Sequence, residues 1–161
     1  MLPLDPDDTP AGDPVPLLVT PADESHGQFS PDGRWLAYNS DDSGRREVYL
    51  QEFIAEPSPA LALRRVQIST AGGSRPRWSP DGDELYYVSP EGELMAVSVT
   101  IEAEMHSEAP EMLFALPRMA PAFFPYVVGA DGRFLILVSD VQTDEDASVV
   151  AVLNWQALLD Q

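Results

Sequence analysis

The sequence predicts an all-β chain, a partial β-propeller of about three four-stranded antiparallel blades. Three observations carry that expectation. Three stretches share a turn followed by an apolar run: FSPDGRWLAYNS from Phe29, WSPDGDELYYVS from Trp78 and GADGRFLILVS from Gly129. Their Asp-Gly pairs fall at a near-constant step, 49 positions from Asp32 to Asp81 and 50 from Asp81 to Asp131. The runs between turns are short and alternate with period two, as half-buried strands do. A step of this length with strands on both sides of each turn is the pattern of propeller blades.

Taken in order, residues 1–14 hold four prolines among aspartates and read as a linker or as the end of a preceding blade. Residues 15–155 read as the blades and 156–161 as a tail. Val15 to Thr20 (VPLLVT) is a spare edge or latch strand, with Pro16 turned away from the ladder. The first blade covers about 25–70. His26 to Ser30 is its inner strand, Trp35 to Asn39 the second, and Glu47 to Phe53 the third. In the third, Tyr49, Gln51 and Phe53 alternate against Val48, Leu50 and Glu52. Val66 to Ser69 is the fourth. The second blade, about 75–116, repeats this order with Arg75–Ser79, Leu85–Ser89, Leu94–Ile101 and, beyond a polar stretch through His106, Met112–Leu116. The third, about 124–155, has Phe124–Val128, Phe134–Val138 and Ser148–Trp155. It lacks a fourth strand, and Val15 to Thr20 is the strand available to latch onto it. The repeat turns are structural: Gly33, Gly82 and Gly132 take positive φ, while Asp32, Asp81 and Asp131 bond nearby amides.

Composition narrows the partners. The 161 residues are 44% hydrophobic, enough for an ordinary core. With 27 acidic and 9 basic residues, all of them arginine, the formal charge is −18. Such a surface repels phosphate backbones and anionic membranes, so neither nucleic-acid binding nor membrane insertion by this chain is expected. Solubility or adaptation to salt is the expected reason for the acidity, with a basic partner or a cation as the alternative. There is no cysteine, which removes disulfides and thiol chemistry. No apolar run is long enough to span a bilayer, and the start shows no signal peptide.

No catalytic constellation is legible. The chain lacks a Gly-rich nucleotide loop, a His-Arg-Asp triplet, any lysine and a Gly-x-Ser-x-Gly elbow, so it is not expected to be an enzyme. His26 and His106 stand beside no nucleophile. The acidic loops Asp41-Asp42-Ser43-Gly44 and Asp140–Asp146 do not match a calcium loop, and neither metal nor cofactor is expected. Trp35, Trp78, Tyr86, Tyr87, Phe134 and Trp155 read as packing between blades. Residues on the inner strands that could face a channel mouth are His26, Gln28, Arg75, Arg77 and Tyr126. Arg75 and Arg77 are expected to pair with nearby acids.

At the FSPDG and WSPDG residues the chain resembles the TolB-like propeller repeat, a relative of the WD-type blade, over about residues 15–155. The third repeat departs, with Gly129-Ala130 in place of Ser-Pro. Pro16 to Pro21, Glu47-Val48-Tyr49, Gly73 to Trp78 (GSRPRW) and Val152 to Trp155 (VLNW) resemble the carboxy-terminal propeller of bacterial membrane-anchored serine/threonine protein kinases. The resemblance implies a non-catalytic sensor or binding module, placed extracytoplasmically on a membrane-anchored parent and otherwise cytoplasmic. It would recognise a protein or small ligand. The alternatives are an accessory propeller of a hydrolase or peptidase, a TolB-type periplasmic interaction protein, or a structural fragment. Three blades do not close a ring. The remaining blades are expected from a parent chain or a homodimer, and the lone chain is not expected to be a stable monomer.

Overall fold

The computed structural model of the chain describes residues 7, 9, 12–101, 105–117, 125–139 and 147–152. These are all-β, in three sheets whose pairings are antiparallel throughout. The first sheet runs β1 (Ser25–Phe29), β2 (Trp35–Ser40), β3 (Glu47–Ile54) and β4 (Ala60–Gln67), in that order. The second is built on β5 (Ser74–Trp78), β6 (Glu84–Val88) and β7 (Glu93–Ile101), with β8 (Met105–Ser107) and β9 (Glu111–Ala115). The third is β10 (Tyr126–Val128), β11 (Phe134–Ser139) and β12 (Ala147–Val152).

Strand content departs from a uniform four in two places. β7 is nine residues long, and two short strands share its outer edge. β8 pairs with Val99–Ile101, and β9 pairs with Glu93–Ala96. The polar stretch around His106, in which the sequence predicts no strand, therefore holds one. Its Met105 is buried in the core, and that burial outweighs the polarity of the segment. β4 begins at Ala60, well before the expected Val66. Ala-Leu-Ala-Leu supplies the alternation, and Arg64-Arg65 obscures it.

Val15 to Thr20 forms no strand. Pro16 has no N–H to give a ladder. Leu17 and Leu18 instead pack on Leu36, Tyr38 and Tyr49, which close the outer face of the first sheet. The expected latch onto Ser148–Trp155 is thus replaced by a cap on the other end of the stack. Trp155, the loop at 140–146, the tail and residues 1–6 lie outside the described residues.

Two hydrophobic cores separate the sheets. Trp35, Ala37, Val48 and Leu50 of the first sheet meet Trp78, Leu85, Tyr87, Val97 and Val99 of the second. Tyr86, Val88, Leu94 and Leu113 of the second meet Tyr126, Phe134 and Ile136 of the third. The middle sheet is therefore buried on both faces, which explains the unbroken apolar run Leu85-Tyr86-Tyr87-Val88.

The third sheet reaches this packing through a shorter turn. In the first two turns Ser30 and Ser79 pair with residues five positions on, Trp35 and Glu84. In the third, Gly129 N donates to Arg133 O, four positions on. A one-residue slip exchanges the two faces of a strand. Counting from Asp-Gly makes Leu135 the counterpart of Leu36 and Leu85. The ladder makes it Phe134, because Val128 pairs with Phe134 as Phe29 pairs with Leu36 and Trp78 with Leu85. Phe134 is accordingly fully buried against the second sheet, while Leu135 is 43% exposed.

Candidate functional site

The inner strands β1, β5 and β10 lie side by side, and side chains stitch each to the next. Gln28 Oε1 accepts the Trp78 amide at 3.1 Å. Asn39, fully buried, accepts the Arg75 amide at 3.2 Å and donates to Ser25 Oγ at 3.0 Å. Tyr126 donates its hydroxyl to the Arg75 carbonyl at 2.8 Å. Gln28 lies opposite Ala37, and Arg77 opposite Tyr86, so both project toward the following sheet. Arg77 is only 8% exposed and stacks over the Tyr126 ring, 5.9 Å from its centroid. Burial lowers the Arg77 pKa against the opposing pull of Tyr126. Burial raises the Tyr126 phenol far above its usual range, against the nearby charges of Arg77 and Arg75.

The structure thus brings together Gln28, Arg75, Arg77 and Tyr126, four of the five inner-strand residues singled out in the sequence. The fifth, His26, lies beside Ser25, whose hydroxyl is 3.2 Å from its Nδ1. Asn39, Ser25 and Arg46 belong to the same cluster, with Arg46 Nη1 donating to Ser25 Oγ at 3.1 Å. Sequence reasoning missed them. A lone Asn inside the apolar WLAYNS run was the available signal, since a buried amide needs partners.

The inner strands are also bent in register with one another. β1 and β5 each carry a ladder irregularity, between Ser25 and Gln28 and between Ser74 and Arg77. Within each irregularity one residue adopts the left-handed conformation: His26 at φ 57° and Arg75 at φ 57°. These residues are 49 positions apart, the same step as the turns. Such a φ is uncommon for a side-chain-bearing residue and is typical of a bulge.

The repeat turns lie at one rim. Ser30 Oγ donates to Asp32 at 2.6 Å, and Ser79 Oγ to Asp81 at 2.5 Å. Each of these carboxylates also accepts an amide two residues on, Arg34 at 3.1 Å and Asp83 at 3.2 Å. The serine hydroxyl is the main cause that holds Asp32 and Asp81 below the usual carboxylate range. Asp131 has no such serine. It is lowered chiefly by the Arg133 amide, with the Arg133 side chain adding an ion pair at 2.5 Å. Between the first two turns is a cleft of about 200 Å³ lined by Asp32, Asp81, Asp83, Val99 and Ile101. The Asp32 and Asp81 carboxylates in it are engaged by the serines and amides of their own turns.

A second buried polar cluster fastens the first sheet to the second. Glu47 is 1% exposed. It pairs with Arg45 and accepts from the Ser69 hydroxyl and, at 3.0 Å, from the Gly72 amide. Gly72 has φ 101°, and a side-chain carbon there would come within 2.7 Å of Pro90. Burial, with the Glu47 charge adding, pushes the Tyr87 phenol up to about 12.

Of the acidic loops, Asp41 accepts the Asp23 amide at 2.8 Å and Asp42 pairs with Arg65. Among the described residues no three His, Asp or Glu side chains converge as a metal ion would require. No helix there is long and apolar enough to cross a membrane.

Comparison with known proteins returns one kind of likeness. No family model and no curated protein matches the chain. Among solved structures, a candidate 6-phosphogluconolactonase from Bacteroides uniformis ATCC 8492 superposes with a TM-score of 0.54 at 16% identity. The match covers 93% of this chain and 49% of that one, so the chain spans about half its length. At this identity the likeness is one of fold.

That finding corrects the family resemblance drawn from the motifs. The structural likeness leads to a lactonase-type protein, and neither the TolB-like, WD-type identity nor the link to a kinase-associated propeller is supported. The reason lies in the motifs themselves. Ser-Pro-Asp-Gly closes its turn by local hydrogen bonds, which serve any antiparallel hairpin of this shape and carry no family. VLNW runs beyond the described residues.

Proposed function

We propose that the chain is a non-catalytic binding module, an open arc of about three propeller blades at 25–70, 75–116 and 124–155. It serves as the accessory part of a hydrolase-type protein. The observation that carries this reading is the side-chain lattice along β1, β5 and β10. It sets three inner edges side by side, as an arc about an axis would. Ligand or partner meets the module where those edges converge, at His26, Gln28, Arg75, Arg77 and Tyr126. The likeness in fold to a lactonase-type protein twice as long favours a hydrolase as the setting. No substrate or catalytic residue is carried over from it. Further sheets complete the arc, from a parent chain or from a second copy.

The test is turnover. The purified chain, given a phosphorylated sugar lactone, a carboxylic ester and a peptide in a pH-stat, is expected to add nothing to the spontaneous rate. Saturable hydrolysis that disappears on replacing an inner-edge residue would overturn the non-catalytic reading.

A further inference from the structure

We propose that the inner edge at Arg75 is a binding site for an oxyanion, the carboxylate or phosphate group of a small ligand. The inference rests on reading the inner edges as the ligand-facing side of the module. Three observations carry it.

The first is charge. In a chain with 27 acidic residues and 9 arginines, an arginine ordinarily finds a carboxylate. Arg45, Arg46, Arg65 and Arg133 do so, with Glu47, Asp23, Asp42 and Asp131. Arg75 has no carboxylate partner among the described residues. Its Nη1 reaches only the Ser74 hydroxyl, at 3.4 Å, and its Nε is buried with no acceptor. With Nε shielded from solvent, the two Nη groups are the donors that meet a planar or tetrahedral oxyanion, which accepts two parallel N–H bonds from them.

The second is conformation. Arg75 holds φ 57° although glycine would take that angle without a side-chain clash. Its backbone is pinned there from both sides, by Asn39 on the amide and Tyr126 on the carbonyl. Strain of this kind, held by surrounding contacts, marks positions kept for something other than stability.

The third is neighbourhood. Arg77, two residues on, stacks on the same Tyr126, and His26 occupies the matching left-handed position on β1. The two arginines Arg75 and Arg77 thus lie together at the inner edge of an otherwise acidic molecule, a local reversal of field that attracts an anion.

Calorimetric titration of the whole chain with inorganic phosphate and, separately, acetate at constant ionic strength tests the site. Saturable binding of either probe is expected, and the arm that binds tells phosphate from carboxylate. Arg75→Gln keeps the left-handed strain and removes the charge. It should weaken binding at least about tenfold, as losing charged hydrogen bonds does, with the melting midpoint little changed. Arg75→Gly should lose binding and melt roughly 2–4 °C higher, because relieved strain raises the midpoint of a chain this size. Binding of neither probe by the wild-type chain, or binding equal in wild type and Arg75→Gln, overturns the proposal. So does a Gly variant that melts lower than wild type, since Arg75 would then be serving the fold. A chain that hydrolyses lactone yet binds phosphate through Arg75 refutes the non-catalytic reading and keeps this one. An inert chain that binds neither probe does the reverse.

Discussion

Replacing Phe134 and Leu135 by alanine, one at a time, tests how the third sheet is faced. The two residues are adjacent on β11 and similar in hydrophobicity, but the ladder sends them to opposite sides. Phe134 has no exposed surface and touches three rings: Tyr86 edge-on at 4.9 Å, Phe114 at 5.9 Å and Tyr126 at 6.5 Å. Phe134→Ala removes a large buried side chain from that cluster and leaves a cavity, a loss of about 3–5 kcal/mol. The aromatic pairs contribute to it at about 0.5–1.5 kcal/mol each beyond area alone. Leu135 is 43% exposed and faces no sheet among the described residues. Leu135→Ala should cost under about 1 kcal/mol, within the range of surface substitutions. Urea denaturation followed by tryptophan fluorescence reads both midpoints. In thermal melts the Phe134 variant should fall by roughly 6–20 °C, at about 2–4 °C per kcal/mol for a domain of this size. If Leu135→Ala proves the more damaging, the four-residue closure from Gly129 to Arg133 is wrong. The third turn would then match the first two, and the faces would be exchanged.

Three further outcomes follow from other parts of the molecule. Glu47→Ala should destabilise by about 3–5 kcal/mol, as breaking a buried polar cluster does, with Glu47→Gln milder; a variant melting within 1–2 °C of wild type, roughly 0.5 kcal/mol, would remove Glu47 from the fastening of the first two sheets. Asp32 and Asp81 have folded pKa values below their ordinary 3.8, so they contribute stability that is present above pH 3.8 and lost as pH falls through the lowered values. The double variant Ser30→Ala, Ser79→Ala should therefore show a shallower fall in urea midpoint between pH 5 and pH 2, and an unchanged slope refutes the hydroxyl's part. Finally, sedimentation at micromolar concentration should find the lone chain associating, because Val127 and Leu135 leave an apolar face of the third sheet open; Leu135→Asp should weaken that association, and a strict monomer would contradict it.

Local chemistry was legible in the sequence. The three Asp-Gly turns, the period-two runs and the all-β class are set by short-range rules. Glycine tolerates positive φ, serine and aspartate bond amides within a few residues, and alternating side chains divide between two faces. Those rules act within a turn or a strand, so residues such as Tyr49 and Val48 could be sent to opposite faces without knowing what either face would meet. The aromatic residues read as packing between blades lie between sheets as far as they are described: Trp35, Trp78 and Tyr87 in one core, Tyr86 and Phe134 in the other.

What depends on distant partners waited for the tertiary structure. A single residue of turn length decides whether Phe134 or Leu135 is buried, and motif alignment from Asp131 cannot see it, because the difference lies in which carbonyl the Gly129 amide selects. Val15 to Thr20 has strand-like composition but covers the first sheet as a cap, since Leu17 and Leu18 gain more from Tyr38 and Tyr49 than a proline-bearing segment gains from a ladder. The candidate site is assembled across sheets, by Gln28 on Trp78, Asn39 on Arg75 and Tyr126 on Arg75. Arg75 was expected to pair with an acid, the ordinary fate of a cation in a chain of net charge −18. Composition counts partners, whereas the bulge in β5 sets where the guanidinium can reach, and among the described residues no carboxylate meets it there.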